Sequence, residues 1–428
     1  MKTIKKVAIL GASGNMGSTC GAIFAGADIQ CVFFARSMDK AEKGIENAVN
    51  AVRSSVLQNY IVPRTYDDLE EVIPECDWVF EALAEDLAIK EEFFGRIDGI
   101  RKPGTIVSSV SSGLSILDMV ENTSPDFKAH SLGTHFYNPP TKLPANELIY
   151  HPENSDDFRK FVAEFCDKRL RRVNIETYDT PGFAGNRIGF QFLNSAAIAA
   201  EKIGAAKVEY LLGPYTGRAM APLATIDLVG FDVHKAITSN LKDNTTDMMN
   251  DSFIIPDYVF KMIDKGMLGN KSSDKGGFFL NRKGAAPLIV NPGTLKHEEI
   301  GAENVGFVEE VKDQIHNGMY RKAVATLFTA SGADAEMVQR FILSYITYSF
   351  SLIGIATPER DGIHGIDKVM AYGFSWMPPS GWVDLIGGPK RTVELIEKAG
   401  LKAADQLKSL PEGKICMVTD ISKYLVGR

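Results

Sequence analysis

Three features that mark other protein classes are scarce in this sequence, and cysteine is the first of them. The five cysteines are Cys20, Cys31, Cys76, Cys166 and Cys416. None of them stands in a C-x-x-C pair, the spacing that metal sites and redox couples favour. We therefore expect no metal site, and we expect the protein to work in a reducing compartment, the cytoplasm.

Basic charge and long apolar runs are the other two scarce features. The 428 residues include 47 lysines and arginines against 54 aspartates and glutamates, a formal net charge of -7. Nucleic-acid binding needs a concentrated basic face, which this balance argues against. The apolar run after the N-terminal lysines, Val7 to Gly11, is only five residues long, and no stretch approaches the roughly 18 apolar residues that span a bilayer. We expect neither a nucleic acid nor a membrane as a partner.

The first part of the chain contains a regular alternation of apolar runs and amphipathic segments. Lys5 to Leu10 is typical of a buried strand, the small-residue helix STCGAIFAGA follows a glycine-rich turn, and IQCVFFA is typical of a second strand. Further apolar runs occur at DWVFEAL, GTIVSSV and HSLGTHF. This alternation predicts an α/β Rossmann-type domain with a mostly parallel sheet over residues 1–178.

Helical periodicity takes over after DTPGFAGNR, and part of it is repeated. NRIGFQFL leads to TIDLVGFDVHKAI, and QRFILSYI leads to WVDLIGGPKRTVEL. The distance is 41 residues from Asn186 to Asp227 and 45 residues from Gln339 to Asp384. We predict a mostly α-helical, internally duplicated C-terminal region. Its first helical unit covers residues 179–285 and its second covers residues 286–428, with an irregular linker inside residues 283–305.

A glycine loop follows directly on the first predicted strand. Gly11, Gly14 and Gly17 form G-x-x-G-x-x-G at the start of a helix. Glycine permits a tight turn and a close ligand, and the helix N-terminus offers N–H groups to a pyrophosphate. The pattern predicts a dinucleotide site that also includes Asn15 and Met16. The alternative is a glycine-rich turn without a ligand.

The end of the second predicted strand indicates which dinucleotide binds. An NAD site usually has an acidic residue there, which accepts hydrogen bonds from the ribose hydroxyls. This sequence has Ala35, Arg36 and Ser37 instead, and a guanidinium with a hydroxyl suits a 2′-phosphate. We expect the cofactor to be NADP or NAD, with a preference for NADP. Alternatively, Arg36 is solvated or contacts phosphates of the substrate.

His135 and Glu147 are the candidates for proton transfer. His135 ends a predicted strand in HFYNPPTKLPANE, and the proline-rich turn can bring Glu147 back onto the imidazole. Alcohol oxidation needs a base, and the pKa of histidine lies near neutrality. A carboxylate on the far nitrogen fixes the tautomer. A lone histidine would favour a structural role, but the paired glutamate and the nearby Asn138, which we assign to the cofactor site, favour catalysis.

These motifs resemble the L-3-hydroxyacyl-CoA dehydrogenase family. Its signature is His-Phe-Phe-Asn-Pro followed by a glutamate at the spacing of Glu147, and HFYNP is similar to it. FEALAEDLAIK resembles the family's E-A-x-x-E-x-x-x-x-K stretch, which implies cofactor contacts for Glu85 and Lys90. The resemblance implies that His135 is the general base and that Glu147 is its partner.

Two further segments carry the resemblance. SVSSGLSI is similar to the family's S-N-T-S-x-L, which implies that Ser112 lies near the reacting oxygen of the substrate. DTPGFAGNR is similar to D-T-P-G-F-x-x-N-R, which implies an active-site role for Asn186. The segments GPYTGRAMAPLATIDLVGFD and KSSDKGGFFL extend the resemblance into the helical half. It is closest to long bacterial forms with two helical units, often fused to an enoyl-CoA hydratase, whose activity we do not predict here.

The sequence also departs from the family pattern. The glycine loop GASGNMG is one residue longer than G-x-G-x-M-G, Ala35 replaces an aspartate, Val110 replaces an asparagine, and LPANE replaces a more apolar run. No segment clearly matches the CoA-binding residues of relatives. Three basic residues could bind the CoA phosphates or form a solvated helix face: Lys40, Lys43 and Arg53.

The residues and the resemblance together predict an oxidoreductase that interconverts (S)-3-hydroxyacyl-CoA and 3-ketoacyl-CoA with NAD(P). Two alternatives stay open, a dehydrogenase of a free hydroxy acid or sugar acid and a non-catalytic NADP-binding sensor. We expect an acyl-CoA substrate and either a monomer or a homodimer, because duplicated helical units can make within one chain a contact that shorter relatives make by dimerising.

Overall fold

The computed structural model describes residues 3–427, which form two compact units. The first unit comprises residues 3–183 with the short segments 356–358 and 372–374. The second unit comprises residues 184–355, 359–371 and 375–427. The division of the helical half into units 179–285 and 286–428 stays a prediction.

The first unit is built on an eight-stranded sheet with the order β3-β2-β1-β4-β5-β6-β7-β8. The strands are β1 (Lys6–Leu10), β2 (Gln30–Ala35), β3 (Ile61–Thr65), β4 (Trp78–Glu81), β5 (Ile106–Ser109), β6 (Ser131–Phe136), β7 (Ala145–Tyr150) and β8 (Val173–Glu176). The first six are parallel and follow the doubly wound order 3-2-1-4-5-6 of dinucleotide-binding folds. β7 is antiparallel to β6 and parallel to β8. The predicted Rossmann-type fold is confirmed.

The central strands are apolar on both sides because helices cover both faces of the sheet. Along β1, Val7 and Ile9 pack into one core with Trp78, whereas Ala8 and Leu10 pack into the core on the opposite face. Alternate residues of a strand point to opposite faces, so a strand covered on both sides reads as a continuous apolar run. The runs that predicted β1, β2, β4, β5 and β6 are of this kind. Three strands lacked such a run and were not predicted: β3, β7 and β8.

Seven helices accompany this sheet. They are α1 (Asn15–Ala25), α2 (Met38–Val52), α3 (Leu69–Val72), α4 (Leu87–Ile100), α5 (Ile116–Val120), α6 (Pro125–Ala129) and α7 (Asp156–Lys168). Close packing against the sheet explains why α1 contains small residues. A Cβ atom on Gly21 would lie 2.4 Å from the ring of Phe33 on β2, so α1 lies close against the sheet only because that position has no side chain.

The second unit is mainly helical. Its helices are α8 (Gly185–Ile203), α9 (Ala205–Leu211), α10 (Pro222–Val229), α11 (Phe231–Asn244), α12 (Asp257–Asp264), α13 (Gly306–His316), α14 (Tyr320–Thr329), α15 (Ala333–Ser351), α16 (Ile363–Gly373), α17 (Pro379–Ile386), α18 (Pro389–Lys398) and α19 (Asp405–Lys408). Within residues 3–427, no helix combines the length and the apolar character that crossing a membrane requires.

Of residues 283–305, where we predicted an irregular linker, only 300–305 form an irregular connection, and most of the rest is β-structure. The region belongs to an antiparallel three-stranded sheet of β9 (Phe279–Arg282), β10 (Ala285–Asn291) and β11 (Lys296–Glu299). Gly284, with a φ of +75°, connects β9 to β10, and Pro292 and Gly293 lie in the turn between β10 and β11. Most residues of β9 and β11 are exposed. The strands therefore lack the apolar alternation that would have revealed them.

The two repeated segments adopt matching structures. Both open on a 19-residue helix, α8 or α15, and both reach an eight-residue helix, α10 or α17. On α10, the carboxylate of Asp227 accepts hydrogen bonds from the backbone N–H groups of Phe278 and Phe279, at 2.7 Å each. On α17, Asp384 accepts from the N–H groups of Ile415 and Cys416, at 2.9 and 3.0 Å. The equivalent aspartates therefore anchor a following segment in the same way, as expected for a duplication.

Candidate active site

Most of the predicted site residues of the first unit follow strands whose carboxyl ends lie at one edge of the sheet. The glycine loop follows β1, Glu85 follows β4, Ser112 follows β5, and His135 is the penultimate residue of β6. β1, β4, β5 and β6 are mutually parallel neighbours. Ligands of doubly wound folds bind outside this edge, so the topology assembles a candidate site there.

The glycine loop is a tight turn that side chains would prevent. Gly11 has a φ of +75°, and a Cβ atom there would lie 2.2 Å from the carbonyl oxygen of Ala82. A Cβ atom on Gly17 would lie 2.3 Å from the carbonyl oxygen of Gly11. The N–H of Gly14 donates to the same oxygen at 3.0 Å. These contacts bring the loop back against the start of α1.

The start of α1 fits the pyrophosphate of a dinucleotide. Its N-cap is Gly14, which has no side chain to occupy the first N–H groups, and its first turn contains no acidic residue. Both features favour an anion at the positive end of the helix. The Nδ2 of Asn15 donates to the Oδ1 of Asn138 at 2.9 Å, which ties the loop to the segment after β6. Asn15 and Asn138 are thus brought together, while Met16 packs on the apolar core of the sheet.

Arg36 and Ser37 lie just beyond the end of β2, and both are exposed. Ala35 is buried in the place where an acidic residue would mark an NAD site. Ser37 is the N-cap of α2, although its hydroxyl makes no capping hydrogen bond. The position thus presents a cation and a hydroxyl at the point where the adenosine ribose lies in doubly wound folds.

Glu85 and Lys90 belong to a buried network that the sequence did not reveal. The Lys90 ammonium lies 2.7 Å from the Oε1 of Glu81 and 3.4 Å from the Oε2 of Glu85, with only 1% of its side chain exposed. The Oε2 of Glu81 accepts from the hydroxyl of Ser109 at 2.5 Å. Lys90 therefore ties the end of β4 to the segment that follows it, and Glu81 links β4 to β5 through Ser109. Direct contacts of Glu85 and Lys90 with the cofactor stay a prediction.

Glu85 shapes the loop that contains Ser112. Its Oε1 accepts from the hydroxyl of Ser111 at 2.6 Å and from the N–H groups of Ser112 and Gly113 at 3.1 and 3.0 Å. Burial alone would raise the pKa of Glu85, but the charge of Lys90 and these hydrogen bonds outweigh it, so the pKa lies below its ordinary value. An ionised carboxylate thus fixes the backbone of Ser112 at the carboxyl edge.

His135 and Glu147 form a buried hydrogen-bonded pair. The two residues are direct partners in the antiparallel register of β6 and β7. The Nδ1 of His135 lies 2.6 Å from the Oε2 of Glu147, and the side chains are 6% and 0% exposed. β6 ends before the proline-rich turn and β7 begins after it. The register between these two strands places the Glu147 carboxylate against the His135 imidazole. The predicted meeting of the two side chains is observed.

Tyr137 is a third member of this cluster. Its hydroxyl donates to the same Oε2 of Glu147 at 2.6 Å, and the ring centroids of His135 and Tyr137 are 4.8 Å apart. Phe183 also packs against the imidazole, at 5.5 Å between ring centroids. Burial, followed by the charge of Glu147 and the hydrogen bond to it, raises the pKa of Tyr137 well above its ordinary value. The hydroxyl therefore stays protonated and acts as a donor.

The remaining predicted features are Asn186 and the DTPGFAGNR motif that contains it. Asn186 is the second residue of α8 in the second unit, where it is buried, and its role stays a prediction. Asp179, the first residue of DTPGFAGNR, accepts from Ser115, Ile116 and Leu117 at the start of α5 at 2.8 to 3.1 Å. That motif therefore anchors the end of the first unit.

Within the part of the chain that the structure describes, histidine, cysteine and acidic residues form no group of three suited to a metal ion.

Comparison with known proteins identifies the family. The profile described as "3-hydroxyacyl-CoA dehydrogenase, NAD binding domain" matches residues 6–180, and "3-hydroxyacyl-CoA dehydrogenase, C-terminal domain" matches residues 182–282. The chain belongs to the 3-hydroxyacyl-CoA dehydrogenase family. The first of these two matches supports the use of NAD or NADP as the dinucleotide.

Individual members of the 3-hydroxyacyl-CoA dehydrogenase family agree with this assignment. A probable 3-hydroxyacyl-CoA dehydrogenase of Bacillus subtilis is 31% identical over 438 aligned residues, which cover 96% of this chain. The chain spans only 54% of the length of that relative. A protein of the same description from Deinococcus radiodurans is 32% identical over 65% of this chain and 84% of its own length.

A solved structure extends the agreement on the fold. The crystal structure of 3-hydroxybutyryl-CoA dehydrogenase from Escherichia coli matches with a TM-score of 0.70 over 95% of this chain and 98% of that one. The identity is 17%, so this likeness concerns the fold. It includes the second helical repeat, which lies beyond the part of the chain matched by the two family profiles.

Proposed function

We propose that this chain interconverts (S)-3-hydroxyacyl-CoA and 3-ketoacyl-CoA with a nicotinamide cofactor. The cofactor, when bound, accepts or supplies the hydride at C3 of the acyl group. The chain contributes the proton site: His135 takes the hydroxyl proton during oxidation and returns it during reduction. Membership of the family and the buried His135–Glu147 pair at the carboxyl edge support this proposal.

The single observation that carries the proposal is the hydrogen bond between His135 Nδ1 and Glu147. A carboxylate only accepts, so Nδ1 carries a hydrogen in the neutral imidazole. The Nε2 atom then has the lone pair and is the base. When Nε2 binds the proton, Glu147 stabilises the positive ring, the role of the acidic member in a triad.

Ser112 and Asn186 complete the proposed catalytic set. During reduction, negative charge develops on the oxygen at C3, and donors aimed at that oxygen stabilise the transition state. Glu85 fixes the Ser112 backbone at the edge where His135 lies. For Asn186, the support is its place in the family-like DTPGFAGNR segment.

The cofactor assignment favours NADP. The exposed Arg36 and Ser37 suit a 2′-phosphate, and the buried Ala35 cannot accept hydrogen bonds from ribose hydroxyls. Arg36→Ala is expected to raise the KM for NADPH about 10-fold or more, while the KM for NADH changes little. Equal KM values for the two cofactors in the unaltered protein would contradict the preference.

The remaining assignments concern the substrate, the location and the assembly. Lys40, Lys43 and Arg53 are exposed on and just after α2 and could bind the CoA phosphates, although Lys43 already pairs with Glu46 at 2.8 Å. A cytoplasmic location and a monomer or homodimer complete the proposal.

Replacing the base tests the central claim. His135→Ala is expected to lower the rate of acetoacetyl-CoA reduction about 1000-fold or more, while NADPH or NADH still binds in a fluorescence titration. His130→Gln is the matched control, because His130 lies just before β6 and bonds only a backbone carbonyl and an aspartate. Full activity of His135→Ala would overturn the assignment.

Two alternatives give different results in the same assay. A dehydrogenase of a free hydroxy acid or sugar acid would oxidise free 3-hydroxybutyrate or a sugar acid but not the CoA thioester. A nucleotide sensor would bind NADP without turning over any of these substrates, and His135→Ala would change nothing. Activity with the thioester alone supports the proposed reaction.

A further inference from the structure

Tyr137 occupies a position where the family signature has phenylalanine. The signature His-Phe-Phe-Asn-Pro becomes His-Phe-Tyr-Asn-Pro in this chain. The additional oxygen lies 2.6 Å from the Oε2 of Glu147, the atom that also bonds His135 at 2.6 Å. One carboxylate oxygen therefore accepts two hydrogen bonds, one from an imidazole and one from a tyrosine hydroxyl.

The position of Tyr137 is fixed by packing around its ring. Phe374 contacts it edge-on, with 5.6 Å between the ring centroids, and a Cβ atom on Gly373 would lie 3.0 Å from it. Only 6% of Tyr137 is exposed. A phenylalanine at this position retains the ring contacts and loses only the hydroxyl.

Other ionisable groups on the neighbouring strands already have partners. Across β7, the register partner of Glu147 on β8 is the apolar Ile175. The charged groups on the flanking elements pair elsewhere: Glu81 with Lys90, Glu176 with Arg159, and Arg172 with the backbone carbonyls of Pro140 and Leu143. Tyr137, in contrast, donates to the carboxylate that faces His135.

We infer that Tyr137 is a positioning residue whose hydroxyl orients the Glu147 carboxylate and weakens it as an acceptor for His135, and so sets the pH range in which His135 exchanges its proton. The inference rests on the proposed function, because it concerns the same base. Tyr137 contacts the partner of the base and is not itself placed against the substrate.

The direction of the effect follows from the shared oxygen. A hydrogen bond to a carboxylate stabilises its charged form and reduces its ability to accept a second hydrogen bond. Without the tyrosine hydroxyl, Glu147 attracts the protonated imidazole more strongly, and the pKa of His135 rises. Oxidation needs the neutral imidazole, and reduction needs the protonated one. Both pH profiles should therefore move to higher pH.

Tyr137→Phe tests the inference in the intact chain. The acid limb of kcat/KM for (S)-3-hydroxybutyryl-CoA oxidation is expected to rise by about one pH unit. The basic limb of acetoacetyl-CoA reduction should rise by a similar amount, with KM for the thioester changed less than about twofold. The control is Tyr150→Phe on β7, which removes a hydroxyl bonded to the carbonyl of Arg159 at 3.1 Å and should move neither limb.

A second measurement does not depend on activity. In protein with ¹⁵N-labelled imidazoles, the His135 signals are those absent from His135→Gln. Their titration midpoint should rise by about one pH unit in Tyr137→Phe and stay unchanged in Tyr150→Phe.

The outcomes separate this inference from the proposed function. If His135→Ala keeps its activity, the proposed function is wrong. If His135→Ala is inactive while folded Tyr137→Phe keeps the original pH limbs and imidazole midpoint, the role of Tyr137 is wrong and the function stands. A similar shift in Tyr150→Phe would show a general effect of removing a hydroxyl and would overturn the inference.

Discussion

Each unit contains a buried carboxylate with the same kind of surroundings. In the first unit, the Oε2 of Glu147 accepts from the hydroxyl of Tyr137 and from the Nδ1 of His135, both at 2.6 Å. In the second unit, the Oδ2 of Asp247 accepts from the hydroxyl of Tyr348 at 2.6 Å and from the Nε of Arg187 at 2.5 Å. A tyrosine and a nitrogen donor share one oxygen in both places.

The nitrogen donor makes the difference between the two sites. Arg187 bonds both oxygens of Asp247 and does not lose its proton in proteins. His135 bonds one oxygen of Glu147, and an imidazole can gain and lose a proton. The same arrangement is therefore a permanent ion pair in the second unit and, in the function we propose, a proton-exchange site in the first. Burial of a carboxylate does not by itself indicate catalysis; the chemistry of its partner does.

Changing the carboxylate of the first site should have the largest effect, and it should be on activity. Glu147→Gln leaves a hydrogen-bond acceptor but removes the charge that stabilises the protonated imidazole. We expect kcat for acetoacetyl-CoA reduction to fall about 1000-fold. The control is Glu176→Gln on β8, whose carboxylate lies 4.0 Å from Arg159 and whose loss should change kcat less than about twofold. Equal rates for Glu147→Gln and the unaltered chain would contradict the proposed role of Glu147 in proton exchange.

Breaking the ion pair of the second site should affect stability instead. Arg187→Met leaves Asp247 buried with its charge uncompensated, which costs about 3 kcal/mol of unfolding free energy. Arg340 is the residue at the same place in the second repeat, but it is exposed and donates only to the carbonyl of Ala399. Arg340→Met should cost less than about 0.5 kcal/mol. Urea unfolding measures both values, and similar losses would contradict the comparison.

Asp367 provides a buried carboxylate that titrates without taking part in the proposed chemistry. Burial raises its pKa from 3.8 to about 7, against the hydrogen bonds from Ser380. Because the folded chain holds this proton more tightly than the unfolded chain, its contribution is complete below pH 3.8 and is lost as the pH rises through about 7. From about pH 4 to about pH 8, the stability of the unaltered chain relative to Asp367→Asn should fall by about 4 kcal/mol, because the two pKa values differ by about three units. A constant difference in urea unfolding would contradict this.

The smallest expected effect is a difference between the two repeats. Asp227 is buried and accepts two backbone hydrogen bonds at 2.7 Å, whereas Asp384 is half-buried and its bonds are longer. Asp227→Asn turns an amide against a backbone donor and should cost about 2 kcal/mol. Asp384→Asn should cost about 1 kcal/mol, because water can reach the unpaired donor. A larger loss of unfolding free energy for Asp384→Asn than for Asp227→Asn, measured by urea unfolding, would show that burial does not determine which aspartate contributes more.

The candidate site was predictable where its residues lie in short sequence motifs. The glycine loop follows an apolar strand, and His135 and Glu147 lie in one recognisable motif. Glu81 and Tyr137 were missed for different reasons. Glu81 lies inside an apolar run, and its partners Lys90 and Ser109 meet it only when β4, α4 and β5 pack. Tyr137 looks like a conservative replacement until its hydroxyl is placed on Glu147.

By itself, the sequence determined the parallel sheet, the glycine turn and the repeat of helices, because apolar periodicity and glycine act over a few residues. Only the tertiary structure decided which carboxylates accept hydrogen bonds from histidine or tyrosine and which accept them from the backbone or from arginine. Those partners come from strands and helices far apart in the chain. Their meeting depends on strand register and side-chain packing, which no short segment contains.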